Sequence, residues 1–181
     1  MWRGLVLVIL FALSGAVRAE ETRGEKLDRL FAALHTADRA EAAELEDDIW
    51  TAWLESGSPT VDLLMRRGLL AQERGALSEA RDLFSAALRL EPAYAEAWNR
   101  RASVYLQEEN TPSALADIGE TLKLEPRHFG ALVALGVILE KLDKKKAALE
   151  AYRSALKLYP QLEDARAGVA RLEPMLDGRP L

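Results

Sequence analysis

Two histidines, no cysteine and a scatter of carboxylates are what this 181-residue chain offers for chemistry. His35 ends an apolar-periodic stretch and His128 lies in the Pro126–Phe129 connection. Neither has a neighbour at ligand spacing, so each is expected at a surface or capping a helix. Glu44, Glu46, Asp47 and Asp48 crowd together, but along a helix and not in the loop that calcium needs. They read as a solvated face, as does Glu108-Glu109. The sequence has no Gly-rich phosphate loop, nucleophile elbow or paired-histidine spacing. Without cysteine there is no thiol catalysis, thiolate metal site or disulfide. No enzyme activity, metal or cofactor is expected.

The residues left to consider are those that could hold another protein, and they need helices to position them. Apolar residues make up 49% of the chain and charged ones 29%, an ordinary balance for a globular protein rich in helix-forming Ala and Leu. A formal charge of −5 argues against nucleic-acid partners and anionic membrane surfaces.

The start of the chain carries an address. Arg3 precedes the run LVLVILFALSGAV at residues 5–17, too short for the roughly 20 apolar residues of a comfortable membrane span. Val17-Arg18-Ala19 supplies small residues where a signal peptidase reads, so residues 1–19 are expected to be a cleaved secretory signal. The alternative is an uncleaved anchor in the inner membrane. Cleavage would remove Arg3 and Arg18, taking the charge from −5 to −7 and leaving an exported, periplasmic chain with no stable membrane insertion.

The body of the chain repeats. Pro92, Pro126 and Pro160 lie 34 residues apart, each closing a similar helix end: LRLEP, LKLEP and LKLYP. Aligned on them, residues 61–94, 95–128 and 129–162 fall into register. The fourth place holds Leu64, Trp98 and Leu132; the eighth, Gly68, Ala102 and Gly136. The eleventh holds Ala71, Tyr105 and Leu139; the twentieth, Ala80, Ala114 and Ala148. The twenty-fourth holds Phe84, Ile118 and Tyr152, and the twenty-seventh Ala87, Thr121 and Ala155. Each unit reads as two amphipathic helices, for example Asp62–Arg74 and Ser78–Leu90. Small residues let the pair approach, and proline stops the second helix. Gly75 ends a first helix, and Thr111-Pro112 reads as an N-cap followed by proline. Trp98 and Tyr105 occupy large-residue places and are expected in the core. Arg67 and Arg101 are expected to pair with acids on the adjoining helix.

On these residues the chain resembles the tetratricopeptide repeat family over 61–162, with Ala71 and Thr121 as departures from its pattern. The resemblance implies an all-α, right-handed superhelical array of antiparallel helix pairs, and the overall picture resembles small exported proteins of alphaproteobacteria. The flanks fit an array. Leu27, Leu30, Phe31 and Leu34 share one helix face, and a second helix from about Asp38 buries Ala42, Leu45, Ile49 and Trp53. Residues 20–60 are therefore expected as a degenerate hairpin capping the N-terminal end, closed by Gly57-Ser58-Pro59. Trp50 sits off the buried face, over the first repeat or a partner. Residues 163–181 are expected as a capping helix with a frayed tail.

The same resemblance implies that the first helices line a concave groove. Carried over by place, the groove residues are Met65, Arg66 and Leu69, then Asn99, Arg100 and Ser103, then Val133 and Val137. Arg66 and Arg100 hold equivalent places and would fork onto acidic side chains or a terminal carboxylate, with Met65 and Leu69 as adaptable apolar contacts. The alternative is an ordinary pair of surface arginines. The carboxylate clamp of chaperone-tail binders is missing, because Met65, Leu69, Gly130 and Ala134 fill its places. The expected function is a monomeric module of the cell envelope that binds a protein or peptide in the groove. The alternative is a structural component that uses the convex face or the ends, with Val169 and Leu172 as an apolar outer face.

Overall fold

The computed structural model describes residues 21–176 and 178; the apolar run at 5–17 and its cleavage site lie outside them. Nine α-helices and no strand occur among the described residues: α1 (Arg23–Leu34), α2 (Arg39–Leu54), α3 (Pro59–Glu73), α4 (Leu77–Leu90), α5 (Ala95–Gln107), α6 (Thr111–Leu124), α7 (Phe129–Lys141), α8 (Lys145–Leu158) and α9 (Glu163–Leu176). The helices α3 to α8 form three antiparallel pairs that stack in chain order, and α9 closes the stack against α8. None of these helices is long and apolar enough to cross a membrane.

Each pair is locked by one small-against-large contact. A Cβ on Gly68 would stand 2.5 Å from the Phe84 ring, and one on Gly136 would stand 2.6 Å from the Tyr152 ring. In the middle pair the partner is the slimmer Ile118, and Ala102 can keep its methyl; both are buried. The eighth and twenty-fourth places thus co-vary within a single chain, ring with glycine and aliphatic with alanine, because interiors pack to near-crystalline density. Tyr152 is held from the other side too, by Gly168 of α9.

The turns inside the pairs also repeat. Gly75 (φ 76°), Glu109 (φ 58°) and Asp143 (φ 55°) share the fifteenth place, and all three are left-handed. The amide after each donates back to the carbonyl five residues earlier: Ala76 to Ala71, Asn110 to Tyr105, and Lys144 to Leu139. This closes the first helix and turns the chain into the second. At the start of α6 the cap is Asn110, whose side chain accepts from the Ser113 amide; Thr111 is the first helical residue, so the helix begins one place earlier than the sequence suggests.

The hairpin of α1 and α2 has the expected helices and buried face, with Leu27, Leu30, Phe31, Leu34, Ala42, Ile49 and Trp53 inside and Leu45 half-buried. Its position differs from that of an N-terminal cap. Instead of stacking on α3 as a preceding repeat would, α2 packs against α5 and lies across the N-terminal ends of the first helices. Its contacts run against the array: Arg39 meets Glu163, Glu46 takes the Tyr159 hydroxyl, Trp50 meets Gly130, and the Leu54 carbonyl takes the Tyr94 hydroxyl. Aromatic burial explains this. Phe31, Trp50 and Trp53 find His128 and Phe129 at the seam of the second and third repeats, whereas α3 offers them no ring.

Candidate functional site

The inner face is built by α3, α5 and α7, with neighbouring first helices touching between α3 and α5. Because α2 crosses this face near its edge, the groove becomes two clefts that share α2 as one wall. The first, of about 270 Å³, has Thr51, Leu54 and Glu55 on the α2 side and Asp62, Met65, Arg66 and Leu69 on the α3 side. The second, of about 220 Å³, lies between Trp50 and α5–α7, lined by Asn99, Arg100, Ser103, Leu106, Gly130 and Ala134 among others.

The residues expected in the groove therefore divide. Arg66 and Leu69 line the first cleft, where Arg66 is exposed and makes no ion pair among the described residues. Met65 is a correction: at 1% exposure it is part of the core of the first repeats, and reaches the cleft only as its floor. Asn99, Arg100 and Ser103 line the second cleft, where Ser103 accepts from the Gln72 side-chain amide at 3.0 Å. Val133 is half-buried against the hairpin's core and Val137 is exposed, both outside the two clefts.

Arg66 and Arg100 share a place but not a role. Arg100 pairs with the buried Glu96 one turn earlier and lies over the Trp50 ring, 5.2 Å from its centroid. It is an internal counter-ion, so only one of the two guanidinium groups is free for a ligand. Of the flanking arginines, Arg101 forks onto Asp117 of α6 at 2.7 and 2.8 Å and covers Trp98, a structural pairing as expected. Arg67 is exposed and makes no such pair among the described residues.

Beneath α2 lies a polar network that the sequence does not advertise. His128 is fully buried and is the N-cap of α7: its Nδ1 accepts from the Ala131 amide at 3.1 Å. The Nε2–H therefore donates to Glu96 Oε2 at 2.9 Å, and the Asn99 amide adds a second bond to that oxygen. Burial alone would raise the Glu96 carboxyl, but the His128 bond and the Arg100 guanidinium outweigh it and hold the group below its ordinary value. Trp53 closes the network from above, and its own Nε1–H has no acceptor among the described residues. The second place of each repeat was the available signal. Asp62 and Glu96 carry acids there, whereas the third repeat has Gly130, on which a Cβ would stand 2.8 Å from the Trp50 ring.

The acidic run on α2 is mostly solvated, with Glu46 receiving the Tyr159 hydroxyl and the Trp50 indole. No group of three or more metal-ligating side chains occurs among the described residues.

The comparisons agree on this architecture. The model of a tetratricopeptide repeat family matches residues 65–120 and 101–163. A TPR repeat-containing protein of Rhizobium etli is 35% identical over 161 residues, covering 88% of this chain and 79% of that protein. Among solved structures, the first TPR of Spaghetti bound to an HSP90 peptide superposes with a TM-score of 0.63 at 22% identity, over 66% of this chain and 95% of that one. The Sgt2 TPR domain from Aspergillus fumigatus gives 0.61 at 24% identity, over 66% and 81%.

Proposed function

The chain belongs to the tetratricopeptide repeat family, and from that premise we propose that it is a non-catalytic module of the cell envelope that holds a segment of a partner protein along its concave face. The observation that carries this reading is the pair of clefts between α2 and the first helices, which share α2 as one wall. The first combines an apolar floor with the unpaired Arg66, which suits a segment with an apolar side chain next to a carboxylate. The Spaghetti domain holds a peptide on the same fold, which supports a peptide-sized occupant here. The envelope address rests on the sequence of residues 1–19.

A structural role through the outer face has less support. Leu172 is buried and Val169 half-buried in the core shared by the hairpin, the third repeat and α9, so these two do not supply the apolar outer face that role would use, although Met175 of the same helix is exposed. Capture tests the proposal. Cells of the native host are cross-linked, and the tagged chain is purified beside Arg66→Glu and Leu69→Asp variants. A partner held by the wild type and lost from both variants supports groove binding. An equal catch from all three contradicts it.

A further inference from the structure

The hairpin sits where the proposed ligand face is, and it sits there as a ligand would. Along one side of α2, Trp50 and Trp53 project one turn apart into a seat made by α5 and α7. Trp53 stacks on His128, and Trp50 meets His128 and Phe129 edge-on at 5.5 Å each. The seat is shaped for rings, since Gly130 withholds the Cβ that would strike Trp50. Two phenols on its rim, Tyr94 and Tyr159, donate to the Leu54 carbonyl and to Glu46.

The attachment is centred on one end of the array. The cores under the first two repeats contain no hairpin residue, whereas the hairpin shares its core with the third repeat and α9. Beyond α2 the chain passes through Glu55–Ser58, where Gly57 is left-handed at φ 83° and the Ser58 side chain makes no cap bond to α3; the tie to that helix is Ser56, whose amide and hydroxyl donate to Asp62. The outer ties, Arg127 to Asp28 and Arg39 to Glu163, each join at least one well-exposed side chain, and such pairs hold weakly. The fit is also incomplete, because Trp53 leaves its indole N–H buried without an acceptor.

We infer that α1–α2 is a displaceable occupant of the groove, and that the seat beneath it receives a partner's amphipathic helix bearing two aromatic side chains one turn apart. Such a helix competes with α2 for His128, Phe129 and Gly130. The clefts beside α2 are then the resting state of a longer groove. This deepens the reading above, since it takes the same concave face as the ligand face, but its test needs no partner.

Native-state hydrogen exchange on the full wild-type chain reads the opening directly. The amides of α1 and α2 are expected to exchange at least tenfold faster than those buried in α4, α5 and α7. The second measurement uses a fluorescein-labelled peptide with the sequence of residues 38–55. It is expected to bind the full-length Trp50→Ala, Trp53→Ala chain at least tenfold more tightly than the wild type, whose own hairpin competes. The same peptide with both tryptophans replaced by alanine should not bind. The chain has no cysteine, so an Asp28→Cys, Arg127→Cys chain bridged by a short bismaleimide locks the hairpin and should also refuse the peptide. Hairpin amides as protected as those of α5 and α7 would overturn the inference, and so would equal peptide binding by the locked and wild-type chains. If exchange and peptide binding come out as expected while no envelope partner is captured, the proposed function fails and the hairpin inference stands.

Discussion

Trp53 lies flat on His128, with ring centroids 4.1 Å apart and planes 7° from parallel. That one contact links the hairpin to the cap of α7 and, through His128 Nε2, to the carboxylate of Glu96 on the preceding repeat. Residues far apart in the sequence, at 53, 96 and 128, thus meet at the seam of two repeats. The consequences can be measured one at a time.

Replacing His128 with alanine removes a helix cap, costing about 1 kcal/mol. It also takes a hydrogen bond from the buried Glu96 carboxylate, leaving Arg100 as its main partner, which costs about 2 kcal/mol. The expected loss in urea unfolding is therefore about 3 kcal/mol. It should shrink when Glu96→Gln is added, since the stranded charge is then gone. Equal losses with and without Glu96→Gln would show that the network is not coupled.

Acid should act through Glu96. Its folded-state carboxyl lies below the ordinary 4.5, so its contribution to stability is present above pH 4.5 and is lost as pH falls through the depressed folded value. Unfolding free energy measured from pH 6 down to about pH 2 should fall less steeply in Glu96→Gln than in the wild type. Parallel curves would contradict this.

Alkali should act on the hairpin. Burial, aided by the Glu46 bond and charge, pushes the Tyr159 phenol from 10.0 up to about 12. A raised folded value means stability is whole below pH 10 and drains away as pH rises from 10 towards 12. Tyr94 is raised too, first by burial and then by the Glu96 charge. Ionisation would set a phenolate against Glu46 or the Leu54 carbonyl, so the tryptophan fluorescence of Trp50 and Trp53 should change in that window. In Tyr159→Phe the change should be smaller.

The array was legible in the sequence because it rests on local rules. Proline spacing gave the period, and small residues at the eighth place marked where Phe84 and Tyr152 press. The hairpin's helices were legible for the same reason. Its location was not, because an amphipathic pattern says which face is buried and not what buries it. Trp50, off the apolar face of α2, was the visible sign that something else covered it. The groove was read by place, which put Met65 and Arg100 on a ligand face. Tertiary packing then claimed Met65 for the core and Arg100 for Glu96.

Backbone strain offers a stabilising test. Glu109 and Asp143 are left-handed where Gly75 is glycine, and a side chain in that conformation costs about 1–2 kcal/mol. Part of the gain from glycine is lost to its freer unfolded chain. Glu109→Gly and Asp143→Gly should therefore each stabilise by about 0.5–1 kcal/mol, read as a rise in the thermal midpoint. Gly75→Ala should lower it.

The central claim is that a partner segment lies in the concave face, and site-specific photo-cross-linking in the native envelope tests it most directly. A photoreactive residue is placed at Ser103, inside the second cleft, and in a separate chain at Leu115, exposed on α6. A discrete partner adduct from Ser103 and none from Leu115 is the expected result. An adduct from Leu115 with none from Ser103 would contradict groove binding and move the interface to the outer helices.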